Sequence, residues 1–196
     1  YAALSHTDLT CKPGTCYEYS NLGMGLLGHI LCLRSGTSYE ELVVSRITED
    51  LGMADTRVTL TPGMQSRLAT GYRDGSAMPL WDNPTLAGAG ALRSTARDML
   101  TFLAATMGVV DSPLTSAMRA TYVPRVVVDP STRVGLGWHI RTTDGVRTVE
   151  SHGATGGYWA FAGFAKKPRT GVVVLTNAYL DVDWIGLAVL SEATGE

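Results

Sequence analysis

Residues 146–177 set the fold class of this chain and read VRTVESHGATGGYWAFAGFAKKPRTGVVVLTN. Three runs rich in β-branched and aromatic residues follow one another there, at 146–151, 158–166 and 172–177. Such runs are typical of β-strands, and turn sequences separate them, as at residues 168–171. A fourth run at 134–141 precedes the turn sequence Thr143-Asp144-Gly145. The stretch therefore predicts an antiparallel meander of strands.

Helical patterns occupy the chain before this meander. Ser20 and Asn21 are suited to cap a helix over 22–33, which Gly36 would end. A capping box, Ser38-Tyr39-Glu40-Glu41, predicts a second helix that runs to about residue 50. Both helices thus carry their start signals in the sequence itself.

Three further helices are expected along the chain. Thr95 is suited to cap a helix over 96–107, and Ser112-Pro113 is suited to open another, because proline is favoured at the first helical position. Between residues 52 and 90, prolines interrupt any long element. An apolar segment at 182–193 predicts a closing helix.

This order of elements predicts the α+β class. We expect a mainly helical region, residues 1–130, to pack on an antiparallel sheet with a C-terminal helix, residues 131–196. The length of 196 residues suits a single domain, which we take to span 1–196. Within this domain the sheet and the helices would share one core.

Charge and composition exclude several classes of function. The chain has 16 basic and 18 acidic residues, so a nucleic-acid partner is not expected. No apolar run approaches the roughly 20 residues that a membrane span needs. The hydrophobic content of 45% argues against intrinsic disorder.

The cysteines and histidines do not predict a metal centre. Cys11 and Cys16 bracket the turn signal Pro13-Gly14, which is suited to bring the two sulfurs together, but three free thiols are the interpretation that the sequence favours. With Cys32, His6 and His29 they match no familiar zinc-site spacing. We therefore expect no metal.

A first candidate site is Tyr19-Ser20-Asn21, immediately before the first helix. A tyrosine acts as a general base only where neighbouring cations lower its pKa well below about 10. An asparagine amide is able to hold a substrate carbonyl. The alternative interpretation is a packed ring followed by a helix cap.

A second candidate site is Ser151-His152-Gly153-Ala154-Thr155, between two predicted strands. Glycines at a strand edge let a ligand lie close to the backbone, and the polar side chains are suited to bind a carboxylate or to move a proton. The alternative is a glycine-rich hairpin loop with an incidental histidine.

Together with their surroundings, these residues resemble a known family. Further matching stretches are residues 13–15, 19–23, 26–28, 51–56, 87–98, 135–138 and 172–177, in the order in which the family has them. The chain resembles the serine β-lactamases and penicillin-binding proteins, in particular the branch of class C β-lactamases, DD-peptidases and esterase-like proteins. The resemblance implies acyl-enzyme chemistry on a small-molecule or peptidoglycan-like substrate, without cofactor or metal, and a location outside the cytoplasm.

The resemblance also implies roles for the candidate residues. In the Tyr-x-Asn motif, Tyr19 would shuttle the proton and Asn21 would contact the substrate amide or the lysine of the nucleophile motif. The family's third motif, Lys-or-His followed by Ser-or-Thr and Gly, matches Ser151-His152-Gly153 in one register. In another register His152 comes first and the loop is one residue short.

A slip of one residue turns a strand side chain to the opposite face, so this register decides which residue meets the substrate. We expect His152 to be the functional residue, because a serine cannot replace the usual cation. Ser151, Gly153, Ala154 and Thr155 are then expected to bind the substrate.

The nucleophile motif of the family, Ser-x-x-Lys, does not occur in these residues. Neither Lys12 nor Lys166 nor Lys167 has a serine three positions before it. In the family this motif lies upstream of Tyr-x-Asn, so we expect the chain to be a C-terminal portion that is inactive alone. The alternative is a non-catalytic relative that only binds a ligand or a partner, and the oligomeric state stays open.

Overall fold

The computed structural model describes residues 4–143 and 145–195. A short 3₁₀ turn, Leu4–His6, precedes the helices, and another, Pro84–Ala89, lies among them. The α-helices are α1 Asn21–Ser35, α2 Tyr39–Val43, α3 Glu49–Leu51, α4 Pro62–Gln65, α5 Ala96–Met107, α6 Thr115–Thr121 and α7 Asp183–Thr194. A π-helical turn, Val44–Thr48, joins α2 to α3.

The helix starts that were predicted from a capping residue are confirmed. The Ser20 side chain accepts a hydrogen bond from the Gly23 amide, and Gly36 closes α1 in the left-handed conformation. The capping box of Ser38 and Glu41 is present, and Thr95 caps α5. In contrast, α6 begins at Thr115, beyond the predicted Ser112-Pro113 start, because the Ser112 hydroxyl instead accepts a hydrogen bond from the Leu114 amide.

Eight short strands make two sheets among the described residues. A hairpin of β1 Tyr72–Arg73 and β2 Ser76–Ala77 stands apart. The main sheet is antiparallel, with the order β3-β4-β5-β6-β7-β8. Its strands are β3 Val126–Val127, β4 Thr132–Val134, β5 His139–Thr143, β6 Val146–Thr155, β7 Tyr158–Ala165 and β8 Thr170–Thr176. The predicted meander and the α+β class are confirmed.

One predicted strand is wrong. Residues 134–141 form no continuous strand, because a turn at Gly135–Trp138 folds β5 back on β4. The Gly135 amide donates to the Trp138 carbonyl over 2.8 Å, and Gly137 has a φ of +81°, a conformation that glycine adopts without strain. The predicted turn at Thr143-Asp144-Gly145 includes Asp144, which lies outside the described residues.

The main sheet lies between two helices. On one face, Leu103 and Met107 of α5 pack with Ile140, Phe164 and other buried residues of the sheet. On the other face, α7 lies so close that a Cβ atom on Gly186 would come within 2.1 Å of Phe161. Strands β7 and β8 therefore present one set of side chains to α5 and the alternate set to α7.

Helix α1 packs through glycines on the turn Pro84–Ala89. A Cβ atom on Gly28 would lie 3.2 Å from the Cα atom of Gly88. The side of α1 that faces away from this turn, which we call its outward side, is apolar and exposed. The large exposed side chains on α1 are those of Leu22, Met24, Leu27, Ile30, Leu31 and Leu33. No helix among the described residues is both long and apolar enough to cross a bilayer.

We expect the isolated chain to self-associate through this outward side of α1 and through edge strand β8, whose outer backbone groups offer a template for pairing. Size-exclusion chromatography with light scattering should give a mass above 20.9 kDa. The double variant Leu27→Glu/Leu31→Glu should lower this mass, because charge on that side opposes association. As a control, Leu180→Glu changes an exposed leucine in the loop before α7 and should leave the mass unchanged. A monodisperse monomer that melts cooperatively above about 55 °C would contradict the prediction.

Candidate functional site

A cleft of about 610 Å³ opens between the end of the sheet and the loops that surround it. Strands β6 and β7 contribute Gly153, Thr155 and Tyr158 to its lining. The opposite wall includes Arg67 and Trp81. A cleft of this size, partly apolar and with a few polar groups, suits a small ligand.

Tyr19 and Asn21 are brought together at the start of α1. The Tyr19 hydroxyl donates to Oδ1 of Asn21 over 2.9 Å, and the Tyr19 ring is 68% exposed. The helix cap is Ser20, which leaves both neighbouring side chains available. The alternative of a packed ring therefore does not describe Tyr19.

His152 lies on the side of the sheet that α7 covers. It stands opposite Phe161 in the register of β6 and β7, and its Nδ1 atom is paired with the carboxylate of Asp183 at the start of α7. The indole Nε1 of Trp159 donates to the same carboxylate over 2.8 Å. Asp183 thereby fixes the orientation of His152.

Ser151 and Gly153 lie on the opposite side from His152. Ser151 stands opposite Ala162, which packs in the core beneath α5, and Gly153 stands opposite Ala160, which lines the cleft. Neither Ser151 nor His152 is among the residues that line the cleft, so the expectation that His152 is the functional residue stays a prediction.

The other expected binding residues divide in the same way. Gly153 and Thr155 line the cleft, whereas Ala154 stands opposite Trp159 on the α7 side. The substrate contacts of the third motif stay predictions.

Sequence reasoning missed the residues that connect the two motifs. The Tyr17 hydroxyl lies 3.5 Å from Nε2 of His139, and the rings of His139 and His152 are 5.8 Å apart between centroids. Tyr17 precedes the Tyr-x-Asn motif by two residues, and His139 begins β5. Their contact spans 122 positions, and no local pattern in the sequence indicates it.

Burial and charge set the protonation of this cluster. Burial lowers the pKa of His139, as does the nearby His152, while the carboxylate of Glu150 opposes the shift. Burial raises the pKa of Tyr17, and the neighbouring Tyr19 adds to this. At neutral pH we therefore expect a neutral imidazole at His139 and a protonated phenol at Tyr17.

Cysteines contribute a cross-link near the site. Cys11 and Cys16 form a disulfide just before Tyr17, so the prediction of three free thiols is wrong, and Cys32 is a free thiol. Over the ranges 4–143 and 145–195, no group of three or more His, Cys, Asp and Glu side chains is placed to hold a metal ion.

Comparison with known proteins places this geometry in a family. The family model described as Beta-lactamase matches residues 1–186. A beta-lactamase-like 1 protein of Homo sapiens is 32% identical over 174 residues, which cover 85% of this chain and 35% of that protein. A beta-lactamase of Pseudomonas fluorescens is 26% identical over 207 residues, which cover 88% of this chain and 57% of that protein.

Solved structures agree with the fold. The D-alanine carboxypeptidase AmpC of Burkholderia cenocepacia superposes with a TM-score of 0.88 at 21% identity, covering 99% of this chain and 66% of that one. A class C beta-lactamase gives a TM-score of 0.86 at 20% identity, covering 98% of this chain and 60% of that one. The chain thus spans about 35–57% of the length of the two curated relatives. Because the family model matches nearly the whole sequence, the chain belongs to the Beta-lactamase family.

Proposed function

We propose that this chain is the C-terminal portion of a serine hydrolase that forms an acyl-enzyme with β-lactams, D-Ala-D-Ala-type peptides or small esters. The observation that carries the proposal is the exposed pair of Tyr19 and Asn21, joined by a hydrogen bond of 2.9 Å in a chain of this family. Acyl transfer to a serine needs a group that moves a proton and a group that holds the carbonyl.

The geometry of the pair supports these two roles. Since Oδ1 of Asn21 accepts the hydrogen bond from Tyr19, the two amide hydrogens of Asn21 remain to bind a substrate carbonyl. The Tyr19 oxygen keeps its lone pairs to accept a proton. Gly153 offers open backbone at the cleft, which Tyr19 and Asn21 themselves do not line, since a Cβ atom on Gly153 would have nothing within 4 Å.

In this proposal the serine nucleophile comes from outside these 196 residues. The described cleft holds no Ser-x-x-Lys pair, since the sequence has none. The relatives that the chain matches are longer than the chain, which leaves room for the missing motif.

We expect the isolated chain to form no covalent adduct with a fluorescent penicillin or a phosphonate ester. The reason is that Tyr19 and Asn21 assist a nucleophile but do not replace it. Mass spectrometry after incubation should detect the unmodified mass of the chain. The full-length protein that contains this chain should acquire one adduct under the same conditions, and pretreatment with unlabelled penicillin should prevent it.

Stoichiometric labelling of a serine within these residues would contradict the prediction. If the full-length protein contains Ser-x-x-Lys and remains unlabelled by penicillin, by D-Ala-D-Ala peptide analogues and by ester probes, the hydrolase proposal fails. A non-catalytic binding domain would then be the better description.

A further inference from the structure

A line of polar side chains runs from the segment of the Tyr-x-Asn motif to the strand that carries the third motif. It begins at Tyr17, continues to His139 on β5 and ends at Glu150 on β6, the residue before Ser151. His139 and Glu150 are direct partners in the register of β5 and β6, so their side chains lie on the same face. The Tyr17 hydroxyl contacts the other ring nitrogen, Nε2.

Glu150 is a buried carboxylate with one oxygen unused. The residue is 2% exposed, and its Oε1 atom forms an ion pair with Nη2 of Arg141 at 3.0 Å. Among residues 4–143 and 145–195, its Oε2 atom has no hydrogen-bond partner, and neither has the buried Nδ1 atom of His139. Buried polar atoms are rarely left without a partner, so two such atoms on facing residues need an explanation.

One proton accounts for both atoms. No direct hydrogen bond joins the two atoms, but a hydrogen on Nδ1 of His139, bridged to the Glu150 carboxylate by one water molecule, would give each of them a partner. With the hydrogen on Nδ1, the Nε2 atom is a lone-pair acceptor for the Tyr17 hydroxyl. The hydrogen-bond partner of Nδ1 thus decides whether Nε2 carries a hydrogen or accepts one.

We propose that Tyr17, His139 and Glu150 form a proton relay that serves the same site as Tyr19. As Tyr17 gives its proton to Nε2 of His139, its oxygen takes a proton from the hydroxyl group of Tyr19 or of the substrate, so no free phenolate is formed. The imidazolium of His139 is stabilised by the Glu150 carboxylate and later returns the proton along the same path. Tyr17 is then a further catalytic residue, whereas His139 and Glu150 act through it.

The relay rests on the proposed function and supplies what that function lacks in this sequence. A tyrosine that moves protons needs a cation or a base beside it, and the third motif offers serine in place of lysine. The two phenols are close enough that Tyr19 contributes to the raised pKa of Tyr17. His139 therefore contacts a phenol that interacts electrostatically with the tyrosine of the Tyr-x-Asn motif.

Several charged groups surround His139, and each acts on its titration. Glu150 and His152 face it from β6, Arg141 lies on its own strand, and Asp183 of α7 holds His152. Glu150 raises the pKa of His139, whereas burial, His152 and Arg141 lower it. The balance leaves His139 neutral at pH 7 and available as an acceptor.

Nitrogen-15 NMR of the histidine rings in the full 196-residue chain tests the relay directly. We expect His139 as the Nδ1–H tautomer, with a pKa below the usual value of about 6.5. Tyr17→Phe should shift the Nε2 resonance of His139 and leave that of His152 in place. Glu150→Gln should weaken the tautomer preference and lower the pKa of His139 further. Tyr179→Phe is the control, because no contact within the described residues joins Tyr179 to Tyr17, His139 or Glu150. It should change neither the tautomer nor the pKa of His139.

An Nε2–H tautomer at His139, or an Nε2 resonance that ignores Tyr17→Phe, would overturn the relay. If Glu150→Gln fails to fold, Tyr17→Phe still decides, because Tyr17 is exposed. In the full-length protein, Tyr17→Phe should lower kcat about 10²-fold with little change in KM. If Tyr17→Phe keeps full activity, the relay is rejected and the hydrolase proposal is not affected. If the wild-type protein is not labelled, the hydrolase proposal is rejected, and the NMR result on the histidine tautomer is not affected.

Discussion

Tyr19→Phe in the full-length protein is expected to slow acyl transfer about 10²–10⁴-fold while KM changes little, because general acid–base groups contribute rate factors of this size. The substitution removes the hydroxyl that donates to Asn21 over 2.9 Å. It keeps the ring, which is mostly exposed and therefore contributes little packing. Stopped-flow measurement of penicillin acylation, with a separate steady-state determination of kcat and KM, checks this.

Tyr72→Phe is the matched control for this variant. Tyr72 is also exposed, and its described hydrogen bonds are made by its backbone. Its loss of a hydroxyl should leave both kinetic constants unchanged. If Tyr19→Phe raises KM and leaves kcat as it was, Tyr19 binds the substrate and does not move a proton.

Arg141→Met is expected to lower the free energy of unfolding of the isolated chain by about 3 kcal/mol. Removing one member of a buried ion pair leaves the other charge without compensation, which typically costs about 3–5 kcal/mol. Glu150 is 2% exposed, whereas the Arg141 side chain is 42% exposed, so the lower end of this range applies. Urea denaturation followed by circular dichroism measures the difference.

The double variant Arg141→Met/Glu150→Gln separates the charge from the packing. It removes the buried charge together with its partner and should recover most of the lost stability. Arg133→Met serves as a control on the neighbouring strand. Within the part of the chain that the structure describes, Arg133 donates to backbone carbonyls alone, so its substitution should cost about 1 kcal/mol. An Arg141→Met chain as stable as the wild type would mean that the ion pair contributes nothing.

Local signals allowed much of the fold to be predicted. Ser20 and Ser38 mark helix starts because their hydroxyl groups satisfy amides a few residues away, and Gly36 marks an end because it adopts a left-handed conformation. The strand-rich segment after residue 130 likewise carries its own turn sequences. The turn at Gly135–Trp138 was missed, because β-branched and aromatic residues on both sides of it read as one strand.

The site was less predictable, because its contacts join distant parts of the chain. His152 is the residue that the sequence predicts to be functional, and in the structure it is paired with the carboxylate of Asp183 on α7. No local pattern around His152 in the sequence predicts that Asp183 is its partner. The contact of Tyr17 with His139 has the same origin, since the register of β5 and the course of the segment before α1 decide it together.

Gly28 and Gly88 form a pair of positions whose substitutions depend on one another. A Cβ atom on Gly88 would lie 2.7 Å from the Met24 carbonyl oxygen of α1, so any side chain there displaces the helix that begins at Asn21. A change at one position is thus tolerated only with a compensating shift at the other, although the two lie far apart in the chain. Related sequences should therefore keep both glycines together. Where one of them is replaced, we expect α1 and the Tyr-x-Asn motif at its start to lie in a shifted position.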